Sequence, residues 1–208
     1  MKTLYKTTLL LAFGLIAGLN ISNAQEARSG LKGGINLSNL YLDEADDENL
    51  RFGFHVGAYT QLLGPSNMVG FQPEIAFSTK GARGMYDFAG YEGEVKFNLN
   101  YVDVPLLAVI KLGEVAEIHG GLYTGYLINA NVTTEGDLGS GEDELDRDNF
   151  NTWDYGLAAG FAFNLEEISI GARYNYGLQE LAKSDEAKTL LDDSKNSNTQ
   201  FFIAFNLN

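Results

Sequence analysis

The chain has 208 residues, with 14 Lys and Arg against 28 Asp and Glu, 24 Gly, 11 Tyr, 13 Phe and no Cys. Without cysteine there is no disulfide, no thiolate metal site and no lipidated N-terminal cysteine. The acidic balance opposes nucleic-acid binding, which depends on basic groups displacing counterions from phosphates.

Lys2 and Lys6 lead into the apolar run Leu9 to Leu19, and Ser22-Asn23-Ala24 stands just before Gln25. This charged, apolar and small-residue order is that of a secretory signal peptide. Cleavage after Ala24 is expected in preference to a retained anchor, because a membrane helix needs roughly 18 or more apolar residues in a row. The expected organisation is a signal peptide over residues 1–24 and one outer membrane β-barrel domain over residues 25–208. Removing the leader takes two lysines from the chain, leaving 12 basic and 28 acidic residues and a formal charge of −16.

The rest of the chain has a period of two. From Trp153 to Leu165, the residues Trp153, Tyr155, Leu157, Ala159, Phe161, Phe163 and Leu165 share one face. Asp154, Gly156, Ala158, Gly160, Ala162 and Asn164 share the other. After Glu166-Glu167 the alternation resumes with Ile168, Ile170, Ala172, Tyr174, Tyr176 and Leu178 opposite Ser169, Gly171, Arg173, Asn175, Gly177 and Gln179. Eight such segments are predicted: Ser29–Asn39, Phe52–Leu63, Val69–Lys80, Leu99–Lys111, Val115–Asn131, Asn151–Leu165, Ile168–Gln179 and Asn198–Leu207. Most reach the 9–11 residues of a tilted membrane strand. Pro73 and Pro105 fall within them; each removes a ladder donor and is expected to mark a bulge or a local irregularity.

The connections alternate as the side chains do. Short links at Gly64–Asn67, Leu112–Glu114 and Glu166–Glu167 alternate with long ones at Leu40–Arg51, Gly81–Asn98, Val132–Phe150 and Glu180–Ser197. Short turns on one rim and long loops on the other are the pattern of an outer-membrane barrel. A soluble lipocalin-like barrel has no comparable reason to sort its loops. The predicted fold is all-β, an eight-stranded antiparallel up-and-down transmembrane β-barrel in contact with outer membrane lipid, with Trp153, Tyr155, Tyr174, Tyr176 and Phe205 as interfacial aromatics.

Three stretches carry a family likeness: Gly30 to Leu40 (GLKGGINLSNL), Gln72 to Gly81 (QPEIAFSTKG) and Leu99 to Leu107 (LNYVDVPLL). Together with Gly120 to Tyr126 and Ile170 to Leu178, they resemble the PorT-like outer membrane β-barrel family common in Bacteroidota. The likeness runs from about Gly30 to Leu207. It implies an outer-membrane location and a small barrel without a catalytic motif, in a family with one member associated with protein secretion. The chain departs from the usual final aromatic, since Asn208 is last.

Eight strands enclose a lumen just wide enough for side chains or one small ligand. The predicted inward set is Lys32, Asn36, His55, Tyr59, Gln61, Gln72, Glu74, Ser78, Asp103, His119, Tyr123, Asp154, Arg173 and Asn175. Enclosed charges require partners, so Glu74, Asp103 and Asp154 are expected to pair with Lys32 and Arg173 in a structural network. A narrow ligand or ion pathway is the alternative. His55 and His119 fall at opposite ends of the barrel and are expected to share neither a metal nor a triad. Gly33-Gly34 and Gly120-Gly121 lie in no phosphate-binding pattern and are read as relief of crowding.

Two long loops are acidic. Asp43, Glu44, Asp46, Asp47 and Glu48 stand near Arg51, and Glu135, Asp137, Glu142, Asp143, Glu144, Asp146 and Asp148 have Arg147 alone among them. Solvation and repulsion explain both; divalent-cation binding by converging carboxylates is the sharper reading. No cofactor is expected. The residues point to a non-enzymatic structural or interaction protein, with envelope or protein-secretion assemblies as candidate partners. A small-solute or ligand carrier is the second reading and a lipid-modifying enzyme the third.

Overall fold

The computed structural model describes residues 27–41, 50–88, 91–137, 139–185, 187–188 and 193–207. The expected leader and the acids Asp43, Glu44, Asp46, Asp47 and Glu48 lie outside the described residues, as does Asn208. The strands are β1 (Ala27–Tyr41), β2 (Arg51–Leu63), β3 (Val69–Phe88), β4 (Tyr91–Leu112), β5 (Ala116–Gly136), β6 (Gly141–Glu144), β7 (Trp153–Leu165), β8 (Ile168–Glu180) and β9 (Lys195–Asn206).

Eight of these close into an antiparallel ring in chain order, because β1 pairs with both β2 and β9 while β4 pairs with both β3 and β5. Closure leaves no edge inside the membrane, which is what hydrocarbon demands of a sheet that spans it. The ninth strand, β6, is an addition to the predicted eight. It pairs only with the far end of β5, from Asn131↔Glu144 to Thr134↔Gly141, and takes no part in the ring.

The period-two reading of β7 and β8 holds in three dimensions. On β7 the exposed positions are Trp153, Tyr155, Leu157, Ala159, Phe161, Phe163 and Leu165, and Asp154, Ala158 and Ala162 are buried. Large apolar side chains cover the outside of the barrel, among them Leu31, Ile35, Phe54, Leu122, Ile170 and Ile203. Such a surface is a liability in water and a requirement in lipid.

The three short turns lie on the rim where the described chain starts and ends. In the first, Asn67 donates its N–H to the Gly64 carbonyl at 2.9 Å. The third turns at Glu166, whose φ of 54° is left-handed and unusual for a residue with a side chain.

On the opposite rim, β3, β4 and β5 have 20, 22 and 21 residues, about twice the 9–11 that cross a membrane. The segment Gly81–Asn98, expected as a loop, is an antiparallel arm paired from Gly81↔Asn98 to Phe88↔Tyr91. Its second strand alternates, with Tyr91, Gly93, Val95 and Phe97 opposite Glu92, Glu94, Lys96 and Asn98, and Phe97 packs against buried apolar side chains of the barrel.

The prolines mark a local irregularity and not a bulge: Cα pairing lapses at Thr60 and Gln61 opposite Pro73 and Gln72, and at Glu74 and Ile75 opposite Pro105 and Val104. Pairing on both sides of Pro73 keeps one register from His55↔Ser78 to Leu62↔Phe71. The register shift in β4–β5 falls between Asn100 and Tyr101, where β5 gains Ile128, not at Pro105. Of each glycine pair, one member makes room. A Cβ on Gly34 would lie 1.9 Å from the Phe201 carbonyl oxygen and one on Gly121 would lie 2.2 Å from that of Leu106, whereas Gly33 and Gly120 have ordinary space.

Candidate functional site

The chemistry-bearing side chains lie inside the barrel. Each of the fourteen side chains read as inward-facing is buried. They form a stack of hydrogen-bonded layers that starts at the short-turn rim.

In the first layer Lys111 meets Glu117 at 3.2 Å. Gln61 Nε2 donates to Glu117 Oε2 at 3.2 Å and to Gln72 Oε1 at 2.8 Å. Gln72 Nε2 donates to Glu74 Oε1 at 2.7 Å, which leads into the second layer. There Glu74 accepts two parallel bonds from Arg173, Nη1 to Oε2 at 2.8 Å and Nη2 to Oε1 at 2.7 Å, and Lys32 Nζ donates at 2.5 Å. The forked geometry is the strong form of an ion pair. Arg173 Nε donates to His119 Nε2 at 3.1 Å, and Lys32 lies 4.6 Å from the Phe202 ring centroid.

Above this, Asn36 is a hub. Its amide nitrogen donates to Ser78 Oγ at 3.0 Å and the Thr79 carbonyl at 2.9 Å, and its oxygen accepts from His55 Nδ1 at 2.8 Å. The next layer centres on Lys80, which is fully buried. Its ammonium donates to Asp103 Oδ1 at 3.0 Å and Asp154 Oδ2 at 3.2 Å, and lies 4.7 and 4.8 Å from the ring centroids of Tyr101 and Tyr123. Asn196 Nδ2 donates to the same Asp154 oxygen at 3.1 Å.

Of the five residues expected to form one network, the structure brings together Lys32, Glu74 and Arg173. Asp103 and Asp154 do not pair with Lys32 or Arg173. They pair with Lys80, a base overlooked because it ends the predicted third strand. Asp103 faces Ala76 across β3 and β4, and the four-carbon stem of Lys80 reaches back to that level from the same face of β3. Lys32, Lys80, Lys111 and Arg173 are matched by Glu74, Asp103, Glu117 and Asp154, so the ion-paired lumen carries as many anions as cations.

The long-loop mouth is closed by an apolar cluster of Leu99, Tyr101, Leu127, Ala130, Phe150, Leu181, Ala182 and Ala187. Phe150 and Ala182 bridge backbone to backbone, and Asn151 Nδ2 donates to the Glu180 carbonyl at 2.9 Å. Two segments read as surface loops therefore knit together over the opening. A barrel filled by ion pairs and capped by apolar side chains is expected to show no sustained ion conductance in a planar lipid bilayer. A reproducible open state of porin size would contradict that packing.

The two histidines sit in different layers, as their strand positions imply, and among the described residues neither hydrogen-bonds a carboxylate or a hydroxyl nucleophile. The closed, lipid-coated ring fits the comparison of its sequence with known families. The profile described as outer membrane protein beta-barrel domain matches residues 22–183.

This chain is a member of that outer membrane β-barrel family. Its place is accordingly the outer membrane, with the short turns in the periplasm and the long connections outside. Among solved structures it is similar to Ail, the attachment invasion locus protein of Yersinia pestis, at 18% identity and a TM-score of 0.46, over 88% of this chain and 99% of that one. Neisserial surface protein A matches at 9% identity and a TM-score of 0.47, over 87% and 97%. The N-terminal β-barrel domain of Pseudomonas aeruginosa OprF matches at 13% identity and a TM-score of 0.34, over 88% and 100%. The search of curated proteins returns no match.

Outside the membrane, this family member's arm has its own charge network. Lys96 pairs with Glu94 and, at 3.3 Å, with Glu135, and Arg83 stands 3.8 Å from Glu94. Hydrogen bonding from Lys96 holds the Glu94 carboxyl below the usual range, and bonding to Glu94 pushes the Lys96 ammonium up. For the acids of the third long connection, the divalent-cation reading finds no converged site: among the described residues, no group of three or more His, Cys, Asp or Glu side chains comes together to hold a metal. Arg147 instead covers the Tyr126 ring at 5.7 Å, and Tyr126 packs edge-on against Trp153 with centroids 5.2 Å apart.

Proposed function

We propose that this protein is a non-enzymatic structural or interaction component of the outer membrane, whose barrel holds an extracellular sheet for an envelope or protein-secretion assembly. The observation that carries the reading is the extension of β3, β4 and β5 past the ring. Beyond Ser78 on β3 the described pairing with β2 ends, and beyond Tyr126 on β5 the pairing with β7 ends. The four strands β3, β4, β5 and β6 continue as a sheet of their own, reaching about 25 Å for the eight residues Gly81 to Phe88 at roughly 3.3 Å each. Ring closure does not require this sheet. Among the described residues its two outer strands, β3 and β6, have no pairing partner on their outer sides, and such edges are templates for another chain.

The filled lumen supports the same reading, because it leaves the surface and not a channel as the working part. Resemblance to the PorT-like family supports a role beside secretion proteins. Replacing Ala82–Phe97 by a two-residue Asn-Gly turn is expected to leave the barrel folded, as read by heat-modifiable gel mobility. The same change is expected to abolish recovery of cross-linked partners from native membranes. Recovery of the same partners from the shortened barrel would overturn the proposal.

A further inference from the structure

The two outer edges of the extracellular sheet are not alike. β6 is four residues long, three of them acids, and all four are exposed. Short length and charge are the means by which proteins blunt an edge. The outer edge of β3 from Gly81 to Phe88 has neither lysine nor proline, and among the described residues nothing pairs with it. Building on the reading of this sheet as the working part, we propose that the β3 edge takes an extended segment of another protein as an added strand. That segment carries a large apolar side chain over Gly84 and an acidic one beside Arg83.

Backbone geometry sets what the edge offers. A Cβ on Gly81 would strike the Phe97 carbonyl oxygen, so that carbonyl reaches across to β3. Phe97 is the partner of Ala82, and in an antiparallel ladder such a pair exchanges both of its hydrogen bonds. Successive residues turn their backbone groups to opposite sides of a strand, so Arg83 and Met85 direct N–H and C=O away from β4. Thr79, of the same parity, turns its carbonyl to β2, where a Cβ on Gly53 would lie 2.5 Å from it.

Side chains set what fits. On the face shared with Val95 and Phe97 the edge presents Ala82 and Gly84, both small. Tyr86 leans inward across the sheet, where a Cβ on Gly93 or Gly136 would strike its hydroxyl. A Cβ on Gly84 would meet nothing within 4 Å, and Val95, its partner on β4, is only half-buried. A large apolar side chain on the added strand fills that space, as aromatic residues do beside strand glycines. On the other face Arg83 stands directly opposite Lys96 and reaches Glu94 only at 3.8 Å. Like charges opposite each other are destabilising, and an acid on the added strand relieves them. A second copy of this chain is the poorer occupant. Arg83 and Lys96 are outnumbered by Glu92, Glu94, Glu135 and the acids of β6, and two such sheets repel.

The test uses the full mature barrel in detergent micelles and a synthetic peptide, acetyl-Thr-Val-Glu-Phe-Thr-Val-amide, with a photoreactive benzoyl group on its phenylalanine. Irradiation is expected to attach it saturably to Ala82–Met85 or Val95, as mapped by mass spectrometry. Exchanging the peptide glutamate for lysine should weaken attachment about fivefold. N-methylation of one alternate set of peptide amides should abolish it and of the other set should not, the signature of an added strand. Met85→Pro removes an outward N–H and spares the bonds to β4, so it should lose the peptide with heat-modifiable mobility intact. Glu142→Pro, on β6, should keep it. Gly84→Phe, which has room for its own side chain, should weaken attachment about fivefold and keeps the test open if Met85→Pro disturbs the arm. No attachment, attachment to β6, or attachment indifferent to both β3 variants would overturn the proposal. In native membranes, a photoreactive residue in place of Arg83 that cross-links only to its own chain or to a second copy would also overturn it. Partners that survive Met85→Pro but are lost with the whole arm would overturn the edge site alone and leave the proposed role standing.

Discussion

Glu74→Ala is expected to destabilise the folded barrel by about 3–5 kcal/mol, the cost of removing one partner from a buried ion pair and leaving the other charged. Glu74 binds two bases, Arg173 through both oxygens and Lys32 through one. Without it, two cations face each other inside a wall of lipid. Lys32→Met is the informative comparison. It removes one base, leaves the forked Arg173–Glu74 pair intact and keeps an unbranched apolar stem against Phe202. Its expected cost is about 1 kcal/mol or less, close to that of an ordinary hydrogen bond. Urea unfolding in lipid vesicles measures both variants. Equal losses in the two would mean that Glu74 does not hold the layer together.

Phe161→Arg is expected to cost about 2–4 kcal/mol, the penalty for arginine near the lipid midplane of such a barrel. Phe161 is 48% exposed and stands on the outer face of β7 between Ala159 and Phe163. Phe161→Leu keeps the site and the apolar character, so its loss should be much smaller. Gly160 is unsuitable as a control because it faces inward, where any Cβ would lie 2.7 Å from His119 Nε2. Assembly of Phe161→Arg with the same unfolding profile as Phe161→Leu would mean that this face of β7 does not meet lipid.

How far the chain can be read depends on what each residue faces. In β7 and β8 one side meets lipid and the other a narrow lumen, so side-chain character changes at every residue and both strands are legible from Trp153 to Leu178. The arm is legible only in part. Tyr91 to Asn98 keeps the same alternation, but Gly81, Gly84 and Gly90 in the stretch before it read as a glycine-rich loop. Inward placement of Lys32, Glu74, Asp103, Asp154 and Arg173 follows from strand parity, but partner choice depends on strand tilt and on the reach of long side chains. That is why Lys80 escaped notice although it joins Asp103 to Asp154. The apolar cap escaped for a different reason. Phe150, Leu181 and Ala187 come from separate connections and meet only after the ring has closed.

The most direct test of the barrel and its orientation uses the absence of cysteine from the chain. Single cysteines at Ser66, in a short turn, and at Glu142, on the exposed strand β6, are treated in intact cells with a maleimide that cannot cross the outer membrane. Glu142→Cys is expected to label in intact cells, and Ser66→Cys only after the outer membrane is permeabilised. Labelling of Ser66→Cys in intact cells, or recovery of the folded protein without detergent, would contradict the account.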